Sequence, residues 1–146
     1  MQDLIIEKPY RFVPPSKCKF ILWLTCKFRL FRYWLRRAEG IIEFEVINAE
    51  KIVDSIRAGH GIVLVGNHCR NADPMAIGEV AKAVDCYLYS MASWHLFNQD
   101  WFMRWAIPQL GGFSINREGV DRTALEFAIK VLATAERPLV IFPEGS

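Results

Sequence analysis

The sequence predicts an α/β fold with a mainly parallel sheet flanked by helices. Three observations carry that expectation. Residues 62–65 and 139–142 are short, apolar, β-branched runs, as in strands buried on both faces. Stretches of helical periodicity separate the strand-like runs, the clearest over 121–135. Strand and helix alternate along the chain, the pattern that crossover connections close into a parallel sheet. At 146 residues, 52% hydrophobic and 23% charged, there is room for one core.

The elements follow in order. Pro14 and Pro15 punctuate the start. A single helix is expected over 16–37, with Phe20, Trp23, Leu24, Phe28, Phe31, Trp34 and Leu35 on one broad face and Arg29, Arg32 and Arg36 opposite. Such a basic, aromatic, amphipathic helix suits a membrane interface; the alternative is a helix packed on its own domain with a solvated basic side. Residues 42–46 alternate apolar with Glu43 and Glu45, as in a half-buried edge strand. Asn48 is placed to cap a short helix ended by Gly59 or Gly61. The strand at 62–65 leads into a loop at 67–73 and a helix over 74–84. A strand over 86–92 and a helix over 95–107 come next. Residues 111–117 form a loop holding a short strand at 113–115. Asp121 caps the following helix, with Leu125, Ile129 and Leu132 on one face, and the strand at 139–142 ends the run.

Charge is unevenly spread. Up to Arg37 there are nine Lys/Arg against Asp3 and Glu7, a net of +7, while the remainder has nine basic against fourteen acidic residues. One end is thus suited to an anionic surface, and no second basic patch exists to follow a nucleic acid backbone. The organisation expected is a basic interfacial segment at 1–40 and a domain at 41–146. Cys18, Cys26, Cys69 and Cys86 form no C-x-x-C pair and fit no zinc spacing, so no metal is expected. Residues 1–8 lack the apolar run of a signal peptide, and no stretch reaches the ~18–20 apolar residues of a spanning helix. A reducing cytoplasm is the expectation.

Three motifs carry chemistry. In His68-Cys-Arg-Asn-Ala-Asp73 the histidine suits a general base near neutral pH. A carboxylate five residues on can fold back across a loop-to-helix turn to orient it. Asp73 before Pro74 also reads as a helix N-cap, and alone the spacing is a common coincidence. In Gly111-Gly-Phe-Ser-Ile-Asn-Arg117, glycine allows close backbone approach and arginine suits phosphate, although a glycine turn before a surface arginine reads the same way. In Phe142-Pro-Glu-Gly-Ser146, a carboxylate, a glycine and a hydroxyl follow a strand, either as a polar wall for a polyol or as an ordinary turn.

In this order and spacing the motifs resemble the glycerol-3-phosphate and 1-acylglycerol-3-phosphate (lysophosphatidate) acyltransferase superfamily, over about residues 48–146. The family's blocks read N-H-x-S-x-x-D, G-x-x-F-I-x-R and F-P-E-G-S/T. Here they stand as Asn67-His68…Asp73, Gly111…Ile115-Asn116-Arg117 and Phe142 to Ser146. The resemblance implies that His68 deprotonates an acceptor hydroxyl, oriented by Asp73. The hydroxyl would attack the thioester of acyl-CoA or acyl-carrier protein, with no cofactor beyond that co-substrate. Arg117 would hold the acceptor's phosphate, Gly111 would shape the pocket, and Glu144, Gly145 and Ser146 would line it. The acceptor implied is a lysophospholipid, foremost 1-acyl-sn-glycerol-3-phosphate, in phospholipid biosynthesis at the cytoplasmic face of a membrane, peripheral or monotopic. Arg70 stands where the family often has Ser, and Ser114 where it often has Phe. The family continues beyond the third block, so the sheet is expected to be incomplete, with its last buried strand unpaired on one side. A non-catalytic membrane-binding fragment, and an acyltransferase with another lipid acceptor, remain alternatives.

Overall fold

The structure is a computed structural model and describes residues 9–70 and 72–143. Its centre is a parallel sheet of β1 (Val63–Val65), β2 (Tyr89–Ser93), β3 (Gly112–Ile115) and β4 (Leu139–Ile141), in the order β1-β4-β2-β3. Val63–Val65 of β1 registers with Leu139–Ile141, Tyr89 pairs with Leu139, and Ser90 with Gly112. Around it lie α1 (Phe20–Lys27), α2 (Leu30–Ala38), α3 (Ala49–Arg57), α4 (Asp73–Ala83), α5 (Trp94–Gln99), α6 (Trp101–Gln109) and α7 (Arg122–Thr134). The predicted α/β class with a parallel sheet is what forms.

The strand order corrects one expectation. The last strand, β4, lies inside the sheet between β1 and β2, so both its edges are paired. Among the described residues the run at 62–65 is instead an edge, with Val63 and Val65 exposed. The far edge, β3, is covered by the leading segment. The Ser114 N–H donates to the Val13 carbonyl at 3.0 Å, and the Val13 N–H donates to Ser114 Oγ at 2.8 Å. That contact satisfies edge groups that would otherwise need water.

The core lies between the sheet and α7. Phe113 and Val140 are fully buried, and Phe12, Phe113 and Phe127 interlock, with the last two rings 4.9 Å apart. The buried face of α7 is Ala124, Ala128 and Val131, whereas Leu125 and Ile129 point outward. Two alanines against the strands let the helix axis approach closely, and Phe127 fills the space beside them; this outweighs the larger side chains of the expected face.

Other differences are local. The helix expected over 16–37 breaks into α1 and α2 because Arg29 adopts a left-handed conformation (φ 52°). Residues 42–46 join no strand among the described residues, and Ile42 is exposed. Asn48 precedes α3 in a left-handed conformation without a side-chain cap bond. The helix expected over 95–107 is divided at Asp100, whose carboxylate accepts the Met103 N–H at 2.7 Å and restarts it as α6. β2 begins at Tyr89 rather than Cys86.

The boundary after residue 40 cuts across packed contacts. Leu35 of α2 is fully buried where that helix packs on α4, with the Phe31 ring over Gly78. Tyr10 meets Trp94 edge-on at 5.4 Å.

Candidate active site

In a parallel sheet all strands end on one side, and the loops beyond those ends are where ligands gather. Each of the three sequence motifs places a residue there: His68 follows β1, Arg117 follows β3, and Phe142 follows β4. Gly111 does not. It lies at the opposite, amino end of β3, where its positive φ (87°) and the Leu88 carbonyl account for it. A Cβ at Gly111 would sit 2.5 Å from that oxygen. Its role is to let β3 start beside β2, away from His68.

The histidine loop is built from the strand outward. The Gly66 N–H donates to the Ile141 carbonyl at 3.0 Å, extending the β1–β4 ladder by one bond. The Phe142 ring occupies the place where a side chain at Gly66 would begin, 2.7 Å from an ideal Cβ. The same ring lies against the His68 imidazole, 5.0 Å between centroids. Third-block phenylalanine and first-block histidine are thus packed together, and Gly66 makes that possible. The sequence alone assigns neither Gly66 nor Phe142 a role; the glycine just before Asn67-His68 and the place of Phe142 at the head of the third motif are the available signals.

Asp73 is the first residue of α4 rather than its cap. Its carboxylate turns back to the loop. Oδ2 accepts the Arg70 N–H at 2.8 Å and lies 3.4 Å from His68 Nδ1. That second distance is long, of the kind that shortens when a site fills. The carboxylate can only accept, so in the neutral imidazole this pairing puts the hydrogen on Nδ1 and leaves the lone pair on Nε2. Burial works against the charge on Asp73, but the Arg70 amide, His68 and the Cys69 amide outweigh it and hold the carboxyl below its ordinary pKa. The side chain of His68 is only 12% exposed. Because a backbone amide supports Asp73, the exchange of the family's Ser for Arg70 leaves that support in place.

Arg117 is exposed beyond β3. Three strand spacings of about 4.8 Å put the ends of β1 and β3 ~14 Å apart. The loops must therefore lean inward for one ligand to meet both His68 and Arg117. Ser114 is fully buried and holds Val13, so its hydroxyl serves the leading segment and not a ligand pocket. Glu144, Gly145 and Ser146 lie outside the described residues.

The fold is thus a parallel α/β sheet with a histidine–carboxylate pair beyond its carboxyl ends, an arrangement chemically able to move a proton. The comparisons with known proteins narrow that class. A family model described as Acyltransferase matches residues 43–146, and the chain belongs to that family. A 1-acyl-sn-glycerol-3-phosphate acyltransferase of Streptococcus pneumoniae (strain ATCC BAA-255 / R6) is 33% identical over 84 residues, 58% of this chain and 31% of that protein. The match therefore spans less than a third of the relative's length. No solved structure matches the chain. Among the described residues no helix is long and apolar enough to cross a membrane.

Proposed function

We propose that this acyltransferase-family chain acylates the free hydroxyl of a lysophospholipid, with 1-acyl-sn-glycerol-3-phosphate as acceptor and phosphatidate as product. The observation that carries the reading is the His68–Asp73 pair, with the carboxylate fixed by a backbone amide; in the neutral imidazole Nε2 is then the nitrogen that accepts a proton. His68 takes the hydroxyl proton as the oxygen attacks the thioester carbonyl of acyl-CoA or acyl-carrier protein. Collapse of the tetrahedral intermediate breaks the C–S bond and releases the thiolate, which takes the proton from His68 to leave as the thiol. Asp73 orients the imidazole and stabilises its charged form. Arg117 binds the acceptor's phosphate, and the Phe142 ring walls the imidazole from solvent. Glu144, Gly145 and Ser146 line the acceptor side. The work is done at a phospholipid surface on the cytoplasmic face, to which the basic leading segment binds. The relative's printed name supports the choice of acceptor.

The test is His68→Ala in the protein that carries this chain, assayed with acyl-CoA and the lysophosphatidate. Loss of a general base lowers kcat by about 10² to 10⁴. Activity within a few-fold of the unaltered protein removes the assignment.

A further inference from the structure

Asp121 uses its two carboxylate oxygens for different purposes. Oδ1 accepts the Ala124 N–H at 3.0 Å, the ordinary cap of α7. Oδ2 accepts the Asn116 N–H at 3.0 Å and the Tyr10 hydroxyl. Helix capping needs only the first oxygen. The second fixes the residue immediately before Arg117. On the other side of Arg117, the Glu118 N–H donates to Asn116 Oδ1 at 3.0 Å. Both backbone flanks of Arg117 are thereby tied, directly or through Asn116, to the carboxylate of a residue, Asp121, that is only 9% exposed. Tyr10 is itself held. Its hydroxyl lies 3.4 Å from the Ser114 carbonyl and Oγ, and its ring rests edge-on against Trp94 at the end of β2. The leading segment thus reaches the ends of two strands and the start of α7 through one side chain.

We infer that Tyr10 and Asp121 are a positioning pair that holds the Arg117 turn in the conformation that receives the acceptor's phosphate. The inference rests on the proposed role of Arg117. It gives the segment ahead of the catalytic motifs a function separate from membrane contact: it completes the support of the acceptor site. An arginine on an unsupported turn would spend binding energy on ordering its own backbone, and the weakened step would be acceptor capture rather than proton transfer.

The test compares Tyr10→Phe with Arg117→Ala in the same full-length protein. The first change removes only a hydroxyl and leaves the ring on Trp94. Tyr10→Phe raises KM for 1-acylglycerol-3-phosphate roughly threefold to tenfold, part of a charged hydrogen bond's worth felt at one remove. The values of kcat and the donor KM stay within about twofold. With monoacylglycerol, an acceptor without phosphate, acceptor KM does not respond. Amide hydrogen exchange at residues 116–118 quickens while that of β3 holds. An unchanged acceptor KM in Tyr10→Phe, beside a raised one in Arg117→Ala, overturns the positioning role and leaves the acceptor reading standing. An unchanged KM in Arg117→Ala overturns the acceptor reading and the inference with it. Equal losses for both acceptors, or faster exchange throughout β3, reduce Tyr10 to a general stability residue and overturn the inference.

Discussion

At the scale of single residues, the site depends on which way one carboxylate faces. From sequence, Asp73 before Pro74 reads equally as a helix cap and as the partner of His68. The structure gives its oxygen to the Arg70 amide and the histidine, and leaves the start of α4 without a side-chain cap. A carboxylate at the first position of a helix is also favoured by the helix dipole, so both placements are electrostatically sound. The pKa of Asp73 is lowered in the folded protein, so it contributes stability that is present above its unfolded value near 3.8 and is lost as pH falls through the folded value. Chemical unfolding of the unaltered protein and Asp73→Asn, followed from pH 7 down to pH 2, should therefore differ by a steady margin above about pH 4.5 that shrinks below it. A margin that grows on acidification would contradict the stated environment of Asp73. The candidate base was legible because its motif is local, six residues from end to end. The Phe142–His68 contact was not, since it joins positions far apart in sequence through the closure of β4 beside β1.

At the scale of elements, the sequence pattern succeeded where hydrophobic period and capping chemistry agree, and failed where packing chose between apolar faces. Asp121 was readable as a cap and is one. The face of α7 was misread because Leu125 and Ile129 are larger than Ala124 and Ala128, yet a helix lying close on a sheet selects small residues for the contact. The break between α1 and α2 was invisible: Arg29 carries no glycine or proline signal for a left-handed turn. Beyond it, α2 packs on α4 and its Leu35 is fully buried. A freely standing interfacial helix would lose little folding stability from truncation at that position. Leu35→Ala is instead expected to lower unfolding stability by about 2–5 kcal/mol, as for a fully buried leucine. Denaturant titration reads this directly, and a change below about 0.5 kcal/mol, the size of a surface substitution, would show that α2 is not part of the cooperative unit.

At the scale of the whole molecule, the alternation of strands and helices announced a parallel sheet, but not its order. Pairing of β4 between β1 and β2 is a long-range choice that local pattern does not encode. The surface poses a related problem, because exposed aromatics occur in two places. One group is Phe20, Trp23, Phe28, Tyr33 and Trp34 on and between α1 and α2; the other is Trp101, Phe102 and Trp105 on α6. Tryptophan and tyrosine suit the headgroup region in either case. Charge separates them. Residues 9–37 carry eight Lys/Arg and no acidic residue, whereas α6 has Arg104 alone and follows Asp100. Lys27 already lies over the Trp23 ring at 4.5 Å, so cation and aromatic surface meet on the leading segment. Anionic lipid adds about 1 kcal/mol for each basic residue held near its surface, which makes the leading segment the stronger of the two. Sedimentation with phosphatidylglycerol-containing vesicles should therefore capture the protein at low salt and release it as salt approaches 1 M, where the screening length falls to about 3 Å. Replacing Trp23 and Trp34 together should weaken capture more than replacing Trp101 and Trp105. Binding that ignores salt, or that depends on the α6 pair alone, would rule out the leading segment as the charged membrane contact.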